Sequence, residues 1–295
     1  MHEPVLLNKV LEILSPLSGK FVIDGTVDGG GHALEIIKRI GLNGMFLGVE
    51  WDNDLLERFK ARLKEESCSV KVVLVNDNYS NLPEILKRKK LGKADALLLD
   101  LGFSSNQLEY SGKGFSFLKD EPLIMRYSEN SGPTAAEVLN SYNEKELTEI
   151  FHKYGEERYS NSIAKSIIRT RKIKKIITTF DLVKAVVSGV PSSYARGRIN
   201  PATKVFQAIR VYINSELENL ESILKNLEDI VKPGGVAIFI AFHSLEDRLI
   251  KNYLKNMKNS GVVEIILKKP VIPEQEEISS NPRSRSAKLR IAILK

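Results

Sequence analysis

The segment VIDGTVDGGGH, residues 22–32, decides the fold class of this chain. Its apolar start suits a buried strand, the strand ends in Asp24, and four glycines follow within seven positions. Glycine tolerates positive φ and has no Cβ, so such a run marks a tight turn or a close approach of the backbone to a ligand. A glycine-rich turn from a strand into a helix is typical of nucleotide-type ligands at the carboxyl edge of a sheet. The alternative is a turn without a ligand, and the spacing departs from the G-x-G-x-x-G of dinucleotide sites.

Strands and helices alternate outward from this segment. The short aliphatic runs that suit strands buried on both faces are FVID (21–24), MFLGVE (45–50), VVLV (72–75) and ALLLD (96–100). Amphipathic stretches such as ALEIIKRI (33–40) separate them. Repeated strand–helix–strand units predict a doubly wound α/β fold around a parallel sheet.

The alternation stops after residue 107 and resumes near residue 205. Apolar residues at steps of three and four over 205–231 predict one long helix, and the KPGG that follows ends it. VAIFIAF (236–242) predicts a buried strand, and Ser244 with Asp247 predicts a capping box that opens a helix. The runs expected to complete a seven-stranded sheet as an antiparallel pair are VVEIIL (262–267) and AKLRIAIL (287–294). We therefore predict a sheet core over residues 1–107 and 205–295, with a helical insert over 108–204.

Composition limits the class of protein. The chain has 295 residues, no apolar run of about 18 residues that would span a membrane, and no signal-peptide pattern in MHEPVLLNKV. Its single cysteine excludes a disulfide framework and, with four scattered histidines, offers no zinc-binding spacing. We therefore expect a cytoplasmic protein without a metal site.

The distribution of charge indicates a polyanionic partner. The net charge is +7, and eleven Lys or Arg residues stand against the single acid Asp181 between Arg158 and Lys204. The residues that we expect to contact phosphates lie in RTRKIKK and are Arg169, Arg171, Lys172, Lys174 and Lys175. A solvated helix face or loop is the alternative.

Polar residues follow each of the first four strands. Glu50 comes about twenty residues after the glycine loop, where an acid can accept both ribose hydroxyls of an adenosine. Tyr79 follows the third strand and could stack on adenine, and Asp100 ends the fourth strand. An exposed carboxylate and a surface turn are the alternatives for Glu50 and Tyr79. The pattern favours an S-adenosylmethionine methyltransferase and is still compatible with a nucleotide-binding oxidoreductase.

Seven motifs, in order across nearly the whole chain, resemble those of one family. They are DGTVDGGGH (24–32), DLGFSSNQL (100–108), KGFSF (113–117), YGEERYS (154–160), NPATKVFQAIRVYINSEL (200–217), FHSLEDR (242–248) and NPRSRSAKLR (281–290). The family they resemble is the bacterial small-subunit ribosomal RNA methyltransferase H, also called MraW. The resemblance implies a class I methyltransferase fold, a Rossmann-like seven-stranded sheet with an inserted helical domain. It implies S-adenosyl-L-methionine as cofactor and N4-methylation of a cytidine in the decoding region of 16S ribosomal RNA, within the assembled or nearly assembled small subunit.

The resemblance also implies a set of cofactor-binding residues. These are Gly30, Gly31, His32, Glu50, Tyr79, Asp100 and Gln107. Glu50 and Tyr79 stand where the family more often has Asp and Phe, and both keep the chemistry. Ile124 replaces an acid, Ala241 replaces a serine and Lys204 replaces an arginine of the family pattern.

The implied reaction suggests two catalytic residues. Cytosine N4 is a poor nucleophile, so the site should accept hydrogen bonds from the amino group. Asp100, with the carbonyls of Leu101 and Gly102, is one candidate, although it could instead support the cofactor amine. His243 is the other, with a purely structural histidine as the alternative. A C5 route would need a cysteine nucleophile, and Cys68 lies in KEESCSVKV, far from the site loops.

Two other functions stay open from sequence. One is a DNA or other RNA amino-methyltransferase, and the other is a non-catalytic RNA-binding ribosome assembly factor. The sequence does not decide between free RNA and a ribosomal particle as substrate, nor between a monomer and a homodimer.

Overall fold

A computed structural model of the chain describes residues 4–66, 70–102, 108, 111–128, 132–198 and 200–295. Cys68 and Gln107 therefore lie outside the described residues. The chain divides into two compact units, one formed by Met1–Ser104 with Leu217–Lys295 and the other by Ser105–Glu216. None of the described helices is both long enough and apolar enough to cross a bilayer.

The first unit is built on one seven-stranded sheet. Its strands are Phe21–Asp24 (β1), Met45–Glu50 (β2), Lys71–Asn76 (β3), Ala94–Asp100 (β4), Val231–Ala241 (β5), Val263–Glu264 (β6) and Lys288–Leu294 (β7). The order is β3-β2-β1-β4-β5-β7-β6, with β1 to β5 parallel and β7 antiparallel to both of its neighbours. The α/β fold with a seven-stranded sheet is as predicted, because continuous aliphatic runs suit strands covered on both faces.

Helices surround the sheet and make up the second unit. In chain order they are Leu7–Leu14 (α1), Gly31–Ile40 (α2), Asn53–Glu65 (α3), Leu82–Lys89 (α4), Ala135–Ser141 (α5), Glu144–Gly155 (α6), Ser160–Ile173 (α7), Thr179–Ser188 (α8), Ser192–Ala195 (α9), Ala202–Ile213 (α10), Glu216–Lys225 (α11), Leu227–Ile230 (α12), Ser244–Asn259 (α13) and Gln275–Ser280 (α14). Alternate residues of β1 enter different cores. Val22 packs in a cluster with Ile36 of α2, whereas Ile23 packs with Ile223 of α11. The sheet is thus covered by helices on both faces.

The last strand pair is shorter than its sequence predicts. Only Val263 and Glu264 of VVEIIL pair with β7, opposite Leu294 and Ile293. Further along β7, Leu289 pairs with Val271 instead. The chain leaves the sheet between these two contacts, so the predicted six-residue strand is wrong in length.

The predicted single helix over 205–231 is also wrong, because the structure breaks it after α10. Ser215 has a φ of 50°, and the buried side chain of Asn214 donates to the Met125 carbonyl at 2.8 Å. The same side chain accepts the Tyr127 backbone N–H at 3.0 Å. Asn214 therefore hydrogen-bonds the backbone of a loop almost ninety positions earlier in the chain, and the helix ends there.

The boundary of the second unit lies later than predicted. Helix α10 packs on α6, where the Gly155 backbone lies so close to Lys204 that a Cβ at Gly155 would sit 2.7 Å from the Lys204 carbonyl oxygen. The insert therefore includes α10 and ends at Glu216 rather than at Lys204. The predicted helical character holds, since its described regular elements are helices. Two of them, α5 and α6, begin with capping boxes formed by Thr134 with Glu137 and Asn143 with Glu146.

Candidate functional site

The glycine loop between β1 and α2 is a tight, left-handed turn. Asp28 and Gly30 have φ values of 51° and 82°, and the Gly30 N–H donates to the Val27 carbonyl at 2.8 Å. A Cβ at Gly30 would overlap the ring of Phe59, and a Cβ at Gly25 would overlap the Leu99 side chain. The glycines thus bring the loop down onto the protein's own core, while α2 begins at Gly31 with its N-terminus at the edge of the sheet.

Glu50 fastens this loop to the end of β2. Its Oε2 accepts the Asp28 N–H and its Oε1 accepts the Asp52 N–H, both at 2.8 Å. Glu50 is buried, so the exposed carboxylate considered as an alternative is excluded. Burial, and after it the charge of Asp28, raises the pKa of Glu50 to about 8. Each carboxylate oxygen can accept two hydrogen bonds, so each still has room for one further donor.

Two more carboxyl groups end β1 and β4, Asp24 buried and Asp100 partly exposed. Asp24 is 1% exposed, its Oδ1 accepts the Thr26 N–H at 3.0 Å, and its Oδ2 has no hydrogen-bond partner among the described residues. The Asp100 N–H donates to Thr26 Oγ1 at 2.7 Å, and Asp100 Oδ1 accepts the Gly102 N–H at 3.3 Å. Burial raises the pKa of both Asp24 and Asp100 to about 7. Thr26 therefore links two acids at neighbouring strand ends.

His32 joins Asp100 to the N-terminal segment. Its Nε2 lies 3.0 Å from the Val5 carbonyl oxygen, and its Nδ1 lies 3.6 Å from Asp100 Oδ2. A carbonyl oxygen only accepts hydrogen bonds, so Nε2 carries a proton and donates it. The structure thus brings together the loop glycines, His32, Glu50 and Asp100.

Tyr79 lies beside the glycine loop. It begins a short 3-10 turn, Tyr79–Asn81, in which Asn78 Oδ1 accepts the Ser80 N–H at 2.8 Å. A Cβ at Gly25 would sit 3.2 Å from the Cβ of Tyr79, so the two residues are neighbours. Tyr79 also packs against the main core of the sheet. Its expected contact with adenine stays a prediction, as does the role of Gln107.

His243 caps helix α13, one residue earlier than the capping box predicted from Ser244 and Asp247. Its Nδ1 accepts the Glu246 N–H at 3.4 Å, and Glu246 Oε2 accepts the N–H groups of Phe242 and His243 at 2.9 and 3.2 Å. Asp247 instead binds Arg290, at 2.7 Å. Because Nδ1 accepts, the proton of a neutral His243 is on Nε2, which then has no lone pair with which to take up another.

Sequence reasoning missed three contributors to the site. The position of Asp24 at the end of a predicted strand does not by itself reveal its unpartnered Oδ2. The Arg62 guanidinium donates to the Gly29 carbonyl, and Phe59 lies under Gly30. Both residues are on α3, about thirty positions after the loop, and nothing in their local sequence marks a contact with it.

The three family departures have local structural roles. Ile124 makes backbone hydrogen bonds, donating to the carbonyl of Lys113 at 3.2 Å and accepting from Ala135 at 3.1 Å. Ala241 is buried at the end of β5. Lys204 Nζ donates to the Glu156 carbonyl at 3.0 Å. At all three positions, the contacts described do not require the residue that the family more often has there.

The basic cluster of the second unit divides into two kinds of residue. Arg171 donates to the carbonyls of Leu139 and Tyr142 at 2.7 and 2.6 Å, which ties down the end of α5. Lys174 pairs with Asp181 at 2.8 Å. The residues of the cluster that are exposed and have no carboxylate partner among the described residues are Arg169, Lys172 and Lys175. The structure therefore does not present all five side chains as free cations.

The carboxyl edge fits a cationic nucleoside ligand. Three acids with raised pKa values, Asp24, Glu50 and Asp100, lie at the ends of β1, β2 and β4, the first two buried and Asp100 partly exposed. Asp24 Oδ2 in particular is a buried acceptor without a donor, which a positively charged group would satisfy. S-adenosyl-L-methionine carries a sulfonium and an ammonium group and therefore matches this edge.

Comparison with known proteins assigns nearly the whole chain to one family. Residues 1–294 match the model of the MraW methylase family. Three relatives bear the name ribosomal RNA small subunit methyltransferase H. The protein of Syntrophus aciditrophicus is 40% identical, with 99% of this chain and 96% of that one covered. That of Carboxydothermus hydrogenoformans is 40% identical (99% and 97% covered), and that of Dictyoglomus thermophilum is 41% identical (99% and 96% covered).

Among solved structures, Aeropyrum pernix fibrillarin in complex with natively bound S-adenosyl-L-methionine is similar with a TM-score of 0.42 and 11% identity, over 94% of this chain and 68% of that one. This likeness is too distant to bear on function. The family match and the full-length relatives are sufficient: the chain belongs to the MraW methylase family, and its methyl donor is S-adenosyl-L-methionine.

Proposed function

We propose that this protein transfers a methyl group to the N4 amino group of a cytidine in the decoding region of small-subunit ribosomal RNA. The observation that carries the proposal is the match to relatives named ribosomal RNA small subunit methyltransferase H, at about 40% identity over almost the whole of both chains. The choice of N4 as the acceptor atom and of the decoding region as the target is the finer part of the proposal.

In this reaction the protein positions the cofactor and the target base, and it accepts a hydrogen bond and then a proton from the N4 amino group. S-adenosyl-L-methionine supplies an electrophilic methyl group on its sulfonium sulfur. The chain's glycine loop, held by Glu50 and Arg62, forms the floor of the cofactor site. A target base must leave its stack to reach an edge lined by buried groups, as bases do in other enzymes that modify them.

Asp100 is the better of the two catalytic candidates. In its ionised form it accepts a hydrogen bond from the N4 amino group, which raises the electron density on that nitrogen. With a pKa of about 7, it can also take up the proton that N4 loses on methylation. His243 is poorly suited to this role, because its Nδ1 is engaged as a helix cap and its Nε2 holds the proton of the neutral ring.

The second unit is proposed as the RNA-binding part of the protein. Arg169, Lys172 and Lys175 are exposed, and no described carboxylate pairs with them. The cations of such a surface bind phosphates and release counterions, which gives affinity without base specificity. We place the reaction in the cytoplasm, where ribosomal subunits are assembled.

The test is to identify the methylated nucleoside. Small ribosomal subunits from cells that lack this enzyme are incubated with the protein and S-adenosyl-L-methionine, and the RNA is digested to nucleosides. Mass and retention time together separate N4-methylcytidine from its C5 isomer, which has the same mass. N4-methylcytidine is expected, and the Asp100→Asn variant should form it much more slowly even at saturating S-adenosyl-L-methionine.

Other outcomes would redirect the proposal. A C5 product would require a cysteine nucleophile and would bring Cys68 into the site. Methylation of DNA or of unrelated RNA at equal rates would indicate a broader amino-methyltransferase. Cofactor binding without any product, on particles or on protein-free RNA, would favour a non-catalytic assembly factor.

A further inference from the structure

The second unit has an exposed apolar surface that its own fold does not use. Leu118 is 80% exposed, Ile173 86%, Ile177 51% and Phe180 40%. Large apolar side chains on the surface are ordinary when they are scattered. These four come from two short segments, 118–121 and 173–180, that the backbone holds side by side.

Hydrogen bonds join the two segments. Thr179 Oγ1 donates to the Lys119 carbonyl at 2.6 Å, and the Thr179 N–H donates to the Glu121 carbonyl at 2.9 Å. The Phe180 N–H donates to Asp120 Oδ1 at 3.2 Å, and the Leu123 N–H donates to the Ile177 carbonyl at 3.0 Å. Phe180 is therefore held at the start of α8 on a fixed backbone rather than on a loose loop.

The charges around this surface are cationic. Lys172 and Lys175 lie one position before and two positions after Ile173 and are exposed, with no carboxylate partner among the described residues. Three acids lie on the two segments or beside them: Asp181 pairs with Lys174, Glu121 accepts the Gly114 N–H and Asp120 accepts the Phe180 N–H. The lysines of this stretch, Lys119, Lys172, Lys174 and Lys175, outnumber these three acids, so the surface keeps a net positive charge toward a polyanion.

The combination of exposed apolar side chains with lysines distinguishes between a protein partner and a nucleic-acid partner. The centres of protein–protein interfaces are depleted in lysine. Single-stranded nucleic acid, in contrast, is bound by basic residues that follow its backbone and by aromatic side chains on which its bases stack. An exposed ring in the same short stretch of chain as two exposed lysines fits the second description.

We propose that Phe180 is a stacking platform for an unpaired base of the RNA substrate, with Lys172 and Lys175 holding the adjacent phosphates. The inference rests on the proposed function for its choice of RNA. It adds a residue and a mode of binding, since the RTRKIKK motif alone suggests only phosphate contacts. Ile173 and Ile177 would cover the edges of the stacked base.

The test is RNA binding at several salt concentrations, using a short unpaired RNA oligonucleotide. Phe180→Ala should weaken binding about 5- to 150-fold, the range for loss of one stacked base, with the salt slope unchanged. Phe180→Leu should weaken binding similarly because it keeps apolar area but has no ring, whereas Phe180→Tyr should bind like the wild type. Val187→Ala is the matched control, since Val187 lies on the same helix and is 39% exposed. It should change affinity less than twofold.

A fluorescence measurement gives an independent result. The chain has one tryptophan, Trp51, in the first unit, so Phe180→Trp adds a reporter in the second. RNA should quench the added emission of Phe180→Trp, and it should leave that of Val187→Trp unchanged. Circular dichroism and thermal melting first establish that each variant is folded.

The proposal is overturned if Phe180→Leu binds RNA like the wild type, or if Phe180→Ala does so. It is also overturned if Phe180→Ala weakens binding only to ribosomal subunits and not to RNA, because the surface would then dock a protein. Failure of the proposed function is distinguishable. A wild-type protein that methylates no RNA but shows the expected loss of binding and the quenching would keep the platform and remove the reaction.

Discussion

Substitution of Arg171 tests whether the RTRKIKK cluster is divided as the structure indicates. Arg171→Met keeps most of the aliphatic stem and removes the guanidinium, which donates to two carbonyls, those of Leu139 and Tyr142. Hydrogen bonds to a charged group contribute about 1.5–3 kcal/mol each, and water can reach this half-buried site to replace part of the loss. We expect the free energy of unfolding to fall by about 2–4 kcal/mol.

Urea unfolding followed by circular dichroism measures this change in the absence of RNA. Lys172→Met is the matched control, because it removes the neighbouring charge from an exposed side chain, and it should change stability by no more than about 0.5 kcal/mol. Arg171→Lys should fall between the two, since both bonds come from the single nitrogen Nη1 and the lysine ammonium, on a side chain one bond shorter, reaches the two carbonyls less well.

Salt-dependent RNA binding provides the second measurement, made well below the unfolding temperature. Neutralising Lys172 and Lys175 should each flatten the salt slope by about 0.7, the value for a phosphate contact with a single strand. Arg171→Met should leave the slope unchanged. If Arg171→Met instead flattens the slope and is as stable as Lys172→Met, then Arg171 contacts RNA and the structural role described above is refuted.

Two further predictions concern the carboxyl edge. Glu50→Gln should weaken cofactor binding by about 1–3 kcal/mol in calorimetry, because an amide cannot accept both the Asp28 and the Asp52 N–H groups. The control Glu57→Gln, on the exposed surface, should bind the cofactor normally. Equal affinities of the two variants would remove Glu50 from the cofactor site. The acids at this edge also predict a pH dependence, because the pKa values of Asp24 and Asp100 are raised to about 7 and that of Glu50 to about 8. Between their unfolded values of about 4 and these raised values, the ligand-free fold binds more protons than the unfolded chain, so its stability falls as pH rises across this window and levels off above it. Urea unfolding of wild type and Asp24→Asn between pH 5 and pH 9 should show a shallower decline in the variant, by at most about 1.4 kcal/mol per pH unit, and parallel curves would show that Asp24 does not titrate in this range.

The sheet could be predicted from sequence because its information is local. FVID, MFLGVE and ALLLD each show a buried strand in their own composition, and their order fixes the parallel arrangement. The break at Ser215 could not be predicted in this way. It depends on Asn214 and its partners Met125 and Tyr127, which are almost ninety positions away in the chain.

The functional residues likewise divide into those that the sequence identifies and those whose role only the structure shows. Glu50 and Asp100 could be selected because they end strands whose carboxyl edges must coincide. Arg171 and Lys172 are adjacent basic residues, and sequence alone cannot tell which one faces the carbonyls of α5. His243 was selected for its motif, and only the structure reveals that it is also a helix cap.

The position of the second unit within the strand order has a consequence for synthesis on the ribosome. Strands β4 and β5 are neighbours at the centre of the sheet, yet all of Ser105–Glu216, about 110 residues, is made between them. At the usual rate of about 5–20 residues per second, this takes about 6 to 22 s. During that interval the finished edge of β4, with its run ALLLD, has no strand to pair with. A nascent chain halted near Glu216 should therefore leave this edge exposed and recruit chaperones, whereas a chain completed through β7 has all of the strands that cover it and should not.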